Sequence, residues 1–407
     1  MRPSLHPAAL TALSCTFLVL NLLAFMTVAA VLPSLIADWD LNNSQAGWLG
    51  GVFFAGYVAA VPVVVPLTDR IPPRRFYLAA TLVGAVAAIG FALFADGFWT
   101  AMVFRFLAGA AVSGAYMPAL KALADSLEEP WRSRASSYYT SVFAVGTGLS
   151  ILVGGAVADV WGWRWSFAAA GLGNVAAFAL GWFWLPEGAS DPTARRPRLL
   201  AQVRQVLRNR AAMAYILAYT GHVWEVFAVR VWAVAYFLWL ATRNPAETLF
   251  TTPVIVATIV ALVGVPVSMW CGERAARARD RRKVLRLVYA VTFAVGCAAA
   301  TGPLFGLGPN AMVVLFLLYG MAIYGDTGAI TAGTISVAEP SVRGMTMAVH
   351  TFVGFGGAML GPAMAGLALD VSGGRNDAGA WCVAWLVAVG GGLFAWVALR
   401  LVGKPRG

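Results

Sequence analysis

The sequence predicts an all-α integral membrane protein: twelve transmembrane helices arranged as two parallel six-helix repeats. Three observations carry that prediction. Of the 407 residues, 60% are hydrophobic and 12% charged, against about 25% charged in a soluble domain, and the mean hydropathy is +0.75. Polar loops divide the chain into twelve apolar runs, each long enough to cross a bilayer. Their approximate limits are 10–36, 45–67, 76–95, 98–120, 135–157, 166–185, 212–240, 250–271, 284–305, 310–337, 344–369 and 380–402. The third observation is an internal repeat. At an offset of 211, Gly109 meets Gly320, Gly114 meets Gly325, Glu128 meets Glu339 and Arg132 meets Arg343. The same register pairs Thr140 with Thr351, Gly146 with Gly357, Gly155 with Gly366 and Asp159 with Asp370. Each half holds an even number of spans, so the halves run parallel, as in secondary transporters with a midplane site between repeats.

The expected organisation is an N-terminal six-helix bundle over 1–185, a cytoplasmic linker over 186–211 and a C-terminal six-helix bundle over 212–407. The first apolar run leads into further spans, so it reads as a transmembrane helix and not as a cleaved leader. The linker is proline-punctuated, then basic and amphipathic, as suits a segment lying along a membrane surface. The net charge of +11 does not point to nucleic acid, because its location is topological. One set of loops, with both termini, holds 24 of the 29 Lys and Arg residues. The opposite set holds Arg164, Arg243 and Arg375. Positive-inside orientation therefore predicts cytoplasmic termini and a multi-pass protein of the cell's inner (plasma) membrane. Cys15, Cys271, Cys297 and Cys382 lie in or at the ends of apolar runs without CxxC spacing, which argues against disulfides and metal sites.

Span 7 carries the chemistry. Its sequence AMAYILAYTGHVWEVFAVRVWAVAYFLWL includes His222, Glu225 and Arg230. A charge at the bilayer centre costs roughly 2.5–3.5 kcal/mol on insertion scales, so such residues face protein or water. At about 100° per residue, Tyr215, Tyr219, His222, Glu225, Arg230 and Tyr236 share an arc of about 140°, a stripe read as the wall of a transport pathway. The other intramembrane ionisable residues are Arg105, Asp326 and His350, and the whole set sums to zero charge with neutral histidines. Glu225 and Arg230 are five apart on one helix, which disfavours a simple intrahelical pair. A cross-helix pair, for instance Arg230 with Asp326, is the expectation.

The loop after span 2 reads Pro66-Leu-Thr-Asp69-Arg70-Ile-Pro-Pro-Arg74-Arg75, span 4 contains Arg105-Phe-Leu-Ala-Gly109, and Gly162-Trp-Arg-Trp-Ser-Phe167 precedes span 6. With twelve spans in two parallel halves, these resemble the major facilitator superfamily over almost the whole chain. The loop resembles that family's G-x-L-A-D-R-x-G-R-R signature, with Val65 and Pro72 in place of the glycines. The resemblance implies a cytoplasmic gate built from Asp69, Arg70 and Arg74, with Glu273 in the looser second-half counterpart. It also implies that spans 1, 4, 7 and 10 line a central cavity, and that Arg105 serves proton coupling or substrate contact. The Gly-Pro of the drug–proton antiporters' span-5 motif is replaced by Ser150-Ile151, and the arginines that nitrate transporters carry in spans 2 and 8 are missing.

The function this predicts is alternating-access secondary transport, with proton-coupled movement of a small organic anion. Glu225, Asp326 and His222 are the candidates for proton coupling, one acid carrying the proton while the other serves as an arginine's counter-ion. Arg105, Arg230, Tyr219, Tyr236, Tyr319 and Tyr116 are the candidates for substrate contact. A proton-driven exporter of amphipathic compounds or drugs is the alternative. No HExxH, GxSxG or GxxxxGK[ST] motif occurs, so the chain is not expected to be an enzyme or a P-loop pump. No cofactor is implied. The expected partners are a solute, protons and the bilayer, with the protein acting as a monomer.

Overall fold

The computed structural model describes residues 5–67, 70–190 and 199–401. Among them are twelve helices long and apolar enough to cross a membrane, and no strand. Spans 1 to 6 are Pro7–Asp38, Asn43–Val64, Pro73–Phe94, Phe98–Asp125, Trp131–Trp161 and Trp163–Trp184. Spans 7 to 12 are Arg210–Arg243, Pro253–Arg277, Arg281–Phe305, Pro309–Val337, Pro340–Val371 and Ala378–Leu401. Three of them are interrupted. Span 1 is two helices, Pro7–Leu22 and Thr27–Asp38; span 8 breaks at Val263; span 10 is Pro309–Tyr324 followed by Thr327–Val337. Such breaks free backbone carbonyls and amides inside apolar surroundings, where protein groups must satisfy them.

The chain forms two compact units, one of residues 1–39 and 52–197, the other of 40–51 and 198–407. In the first, span 1 packs on spans 5 and 6, and span 3 packs on spans 4 and 6. Gly109 of span 4 lies so close to span 2 that a Cβ there would come within 1.7 Å of the Phe53 carbonyl oxygen. Glycine at this point is what lets the two backbones touch. In the second unit span 7 is the central helix, held mainly by spans 11 and 12. Gly320 of span 10 repeats the Gly109 contact, with its would-be Cβ 2.8 Å from the Val260 carbonyl oxygen of span 8. The helix Leu199–Arg208 is amphipathic as the sequence predicts, with Val206 buried beside Ile216, Val342 and Val349. Its Leu200 is 87% exposed.

The second unit includes the first turns of span 2, and Asp370 at the end of span 11 secures them. One Asp370 carboxylate oxygen accepts from the Asn43 backbone N–H at 2.9 Å and from Asn43 Nδ2 at 2.7 Å. The other accepts from the Ser44 N–H at 2.8 Å and from its Oγ at 2.6 Å. A carboxylate at a helix N-terminus satisfies orphan donors and complements the helix dipole. Asp370→Ala should lower thermal stability by about 1–2 kcal/mol, the scale of a lost N-cap, with Asp370→Asn nearer wild type. Melting of the purified protein in detergent checks this.

Candidate functional site

Span 7 places its polar stripe inside the second unit. His222 is 3%, Glu225 1%, Arg230 8% and Tyr236 0% exposed. Span 7 is buried nearly all round, so its polar stripe faces protein on every side, and Glu225 and His222 each meet a side chain of span 10.

Glu225 accepts a hydrogen bond from the Tyr319 hydroxyl of span 10 at 2.6 Å. Span 12 leaves room for the carboxyl by presenting Gly392, where a Cβ would stand 2.7 Å from Glu225 Oε2. Asp326 lies in the break of span 10, 1% exposed, with Oδ1 2.7 Å from His222 Nδ1. The opposite ring nitrogen of His222 lies 3.3 Å from Thr327 Oγ1. A histidine held between a carboxylate and a hydroxyl can take a proton on one nitrogen while the other is fixed by its partner. Beyond it, Tyr219 stacks on His350 with ring centroids 4.0 Å apart, and His350 Nδ1 lies 3.2 Å from Thr334 Oγ1.

The expected pairing of Arg230 with Asp326 does not form. Asp326 meets His222 instead, and Arg230 lies eight residues further along span 7, about 12 Å down the helix axis. The expectation that one acid serves as an arginine's counter-ion is corrected with it. Glu225 takes a tyrosine hydroxyl, Asp326 a histidine, and among the described residues no carboxylate stands within ion-pair distance of Arg230. The Arg230 guanidinium sits 5.3 Å from the Phe227 ring and 5.4 Å from the Tyr324 ring. Its Nη2 reaches the Ala261 carbonyl oxygen at 3.5 Å, and its Nε has no hydrogen-bond partner.

The remaining candidates fall elsewhere. Arg105 of span 4 is 1% exposed and donates to the Ala24 and Phe25 carbonyl oxygens at 2.9 and 3.2 Å, the carbonyls freed where span 1 breaks. The Phe53 ring lies 4.8 Å from its guanidinium. Tyr116 stacks on Tyr139 at 5.6 Å in the first unit. Tyr236 stands among Phe316, Trp381 and Trp385 at centroid distances of 5.0–5.1 Å. Of the gate residues, Asp69 lies outside the described residues. Arg74 is 7% exposed, donates to Glu187 Oε1 at 3.0 Å and to the Trp182 carbonyl, and so ties span 3 to the end of span 6. Glu273 pairs with Arg277 on the exposed end of span 8 at 2.6 Å, an i,i+4 contact. Arg70 closes the turn after span 2 through its N–H to the Leu67 carbonyl at 3.0 Å. Sequence reasoning missed Tyr324 and Thr327, although both flank Asp326 in the run Tyr-Gly-Asp-Thr; a Gly-Asp pair amid apolar residues was the available sign of a broken helix.

The profile of the Major Facilitator Superfamily matches residues 14–362. Protein spinster homolog 1 of Bos taurus is 27% identical over 245 residues, covering 57% of this chain and 46% of its own, so the match spans about half of that relative. A gentisate transporter of Corynebacterium glutamicum is 22% identical over 391 residues, covering 88% of this chain and 79% of its own. Among solved structures, a bacterial homologue of the human lysosomal transporter Spinster, inward-facing and unoccupied, superposes with a TM-score of 0.77. That likeness covers 98% of this chain and 96% of the other at 16% identity, and it concerns the fold. With a family match over most of its length and twelve helices of membrane-spanning length among its described residues, the chain belongs to the major facilitator superfamily.

Proposed function

We propose that the protein is a proton-coupled secondary transporter of a small organic anion, working by alternating access. The observation that carries this reading is the separation of buried acid from buried base in the second unit. Glu225 is enclosed with a tyrosine hydroxyl and without a cation at ion-pair distance among the described residues. A carboxyl in that setting can take up and release a proton as its surroundings change. Arg230, also buried, supplies positive charge for a solute. Asp326 and His222 form a second acid–base pair that can pass a proton toward Thr327 or accept one from Glu225's side. The relation to a gentisate transporter supports an organic acid as the solute. The charge pattern of the loops supports cytoplasmic termini in a plasma membrane, and the break in composition over 186–211 supports a linker between six-helix halves.

The test is uptake of labelled organic acids into proteoliposomes under an imposed pH gradient. Accumulation driven by an acid exterior and abolished by a protonophore is the expected result. Uptake that is indifferent to the gradient, or extrusion of lipophilic cations without any response to acids, would replace this reading with the exporter.

A further inference from the structure

The helix Leu199–Arg208 is fastened to the second unit and still turns apolar side chains outward. At about 100° per residue its side chains fall into three neighbouring sectors. Val206 and Val203 form the first and pack with Ile216, Val342 and Val349 of spans 7 and 11. Leu207 and Leu200 form the next, 50% and 87% exposed. Arg204 and Arg208 form the third, one turn apart and exposed. Polar contacts fix the helix as well. Gln205 donates to the Glu339 carboxylate, and Asn209, which caps span 7 at Ala212, donates to the Val337 carbonyl at 2.9 Å. Span 7 begins at Arg210, so this helix stops where a helix of membrane-spanning length starts.

The two outward sectors both lack a partner. Arg204 and Arg208 are like charges four residues apart, which repel across one turn. No ion pair among the described residues involves either of them. Beside them opens a concavity of about 530 Å³, bordered by Ala201, Arg204, Gln205, Arg208, Asn209 and Glu339. Its size falls within the range of about 300–1,000 Å³ usual for small ligands. Two guanidinium groups there face one carboxylate, and Gln205 already engages that carboxylate. Guanidinium forks match phosphate oxygens in shape and charge. A free phosphate would answer the arginines and leave Leu200 and Leu207 bare, whereas a phospholipid answers both. At a membrane boundary, leucines of an amphipathic helix enter the acyl region while the neighbouring arginines reach the headgroups. In the cytoplasmic orientation proposed above, this helix meets the leaflet in which anionic lipids are concentrated.

We propose that the helix Leu199–Arg208 is a docking site for an anionic phospholipid, with the phosphate between Arg204 and Arg208 and an acyl chain along Leu200 and Leu207. The site stands apart from Glu225, Asp326 and Arg230, and it holds whether or not transport is coupled to protons. Because the helix is fixed to spans 7, 10 and 11, a lipid bound there stabilises the folded second unit by mass action.

Thermal unfolding of the full chain, purified in a neutral detergent, tests the site with dioleoylphosphatidylglycerol, dioleoylphosphatidylcholine or inorganic phosphate added at equal concentration. The phosphatidylglycerol should raise the midpoint by about 2–4 °C more than the phosphatidylcholine, and inorganic phosphate should leave it unchanged. Arg204→Gln combined with Arg208→Gln should erase the difference between the lipids while melting as wild type in phosphatidylcholine, since both side chains are exposed. Each single variant should reduce the difference, and these serve if the double variant does not fold. Arg279→Gln removes an exposed arginine between spans 8 and 9 and should leave the difference intact. Leu200→Ser should require more phosphatidylglycerol for half of the shift. Equal shifts with both lipids, a difference that survives the double variant, or one lost equally in Arg279→Gln would each overturn the proposal. A shift reproduced by inorganic phosphate would make this a free-anion site and overturn the lipid as occupant, and an unchanged lipid requirement in Leu200→Ser would overturn the acyl contact.

Discussion

Glu225→Gln should reduce gradient-driven accumulation to equilibration while leaving solute exchange across a membrane without a gradient at the wild-type rate. The amide keeps the shape of the side chain and can still accept from the Tyr319 hydroxyl that stands 2.6 Å from the carboxylate. What it lacks is a titratable proton. At one proton per solute, a gradient of one pH unit supports about tenfold accumulation, and the variant should show none. Tyr319→Phe keeps the carboxyl and removes its donor, so coupling should survive with a smaller loss of rate. Proton-driven uptake persisting in Glu225→Gln at the wild-type level would remove Glu225 from the mechanism and turn attention to the Asp326–His222 pair.

The second large effect concerns stability. Arg105→Leu should destabilise the protein by about 3–6 kcal/mol, the loss of two charge-assisted hydrogen bonds to buried carbonyls. Those carbonyls, Ala24 and Phe25, have no continuing helix above them because span 1 is interrupted between Leu22 and Thr27. Arg105→Lys should fall between, since an ammonium cannot bridge two carbonyls as a planar fork does. The check is thermal unfolding of the detergent-purified variants beside their transport activity. A variant that melts like wild type yet fails to transport would make Arg105 a solute contact and not the clasp of a broken helix.

The spans and the polar face of span 7 were legible because both follow from periodicity and apolar length, which a sequence states directly. The breaks were not. Span 1 parts at Leu23-Ala-Phe-Met26, a stretch with neither proline nor glycine, and it stays parted because Arg105 arrives from 80 residues away. Partner choice was equally hidden. Charge alone favours Arg230 for Asp326, whereas the level at which span 10 breaks decides for His222. Arg74 shows the same limit: its motif is readable, but Glu187 lies 113 residues later in the chain.

The matched glycines carry a historical consequence. Gly109 and Gly320 make the same backbone contact in the two units, as copies of one ancestral segment would. In the same register Ala108 stands opposite Tyr319, Ala115 opposite Asp326, and Phe316 opposite Arg105. A gene duplication copies architecture and chemistry together. Here the architecture has stayed duplicated while the ionisable residues have parted company, one half stabilising its own broken helix, the other holding the acids and both buried histidines. Segments that begin as equal copies can divide the labour in this way.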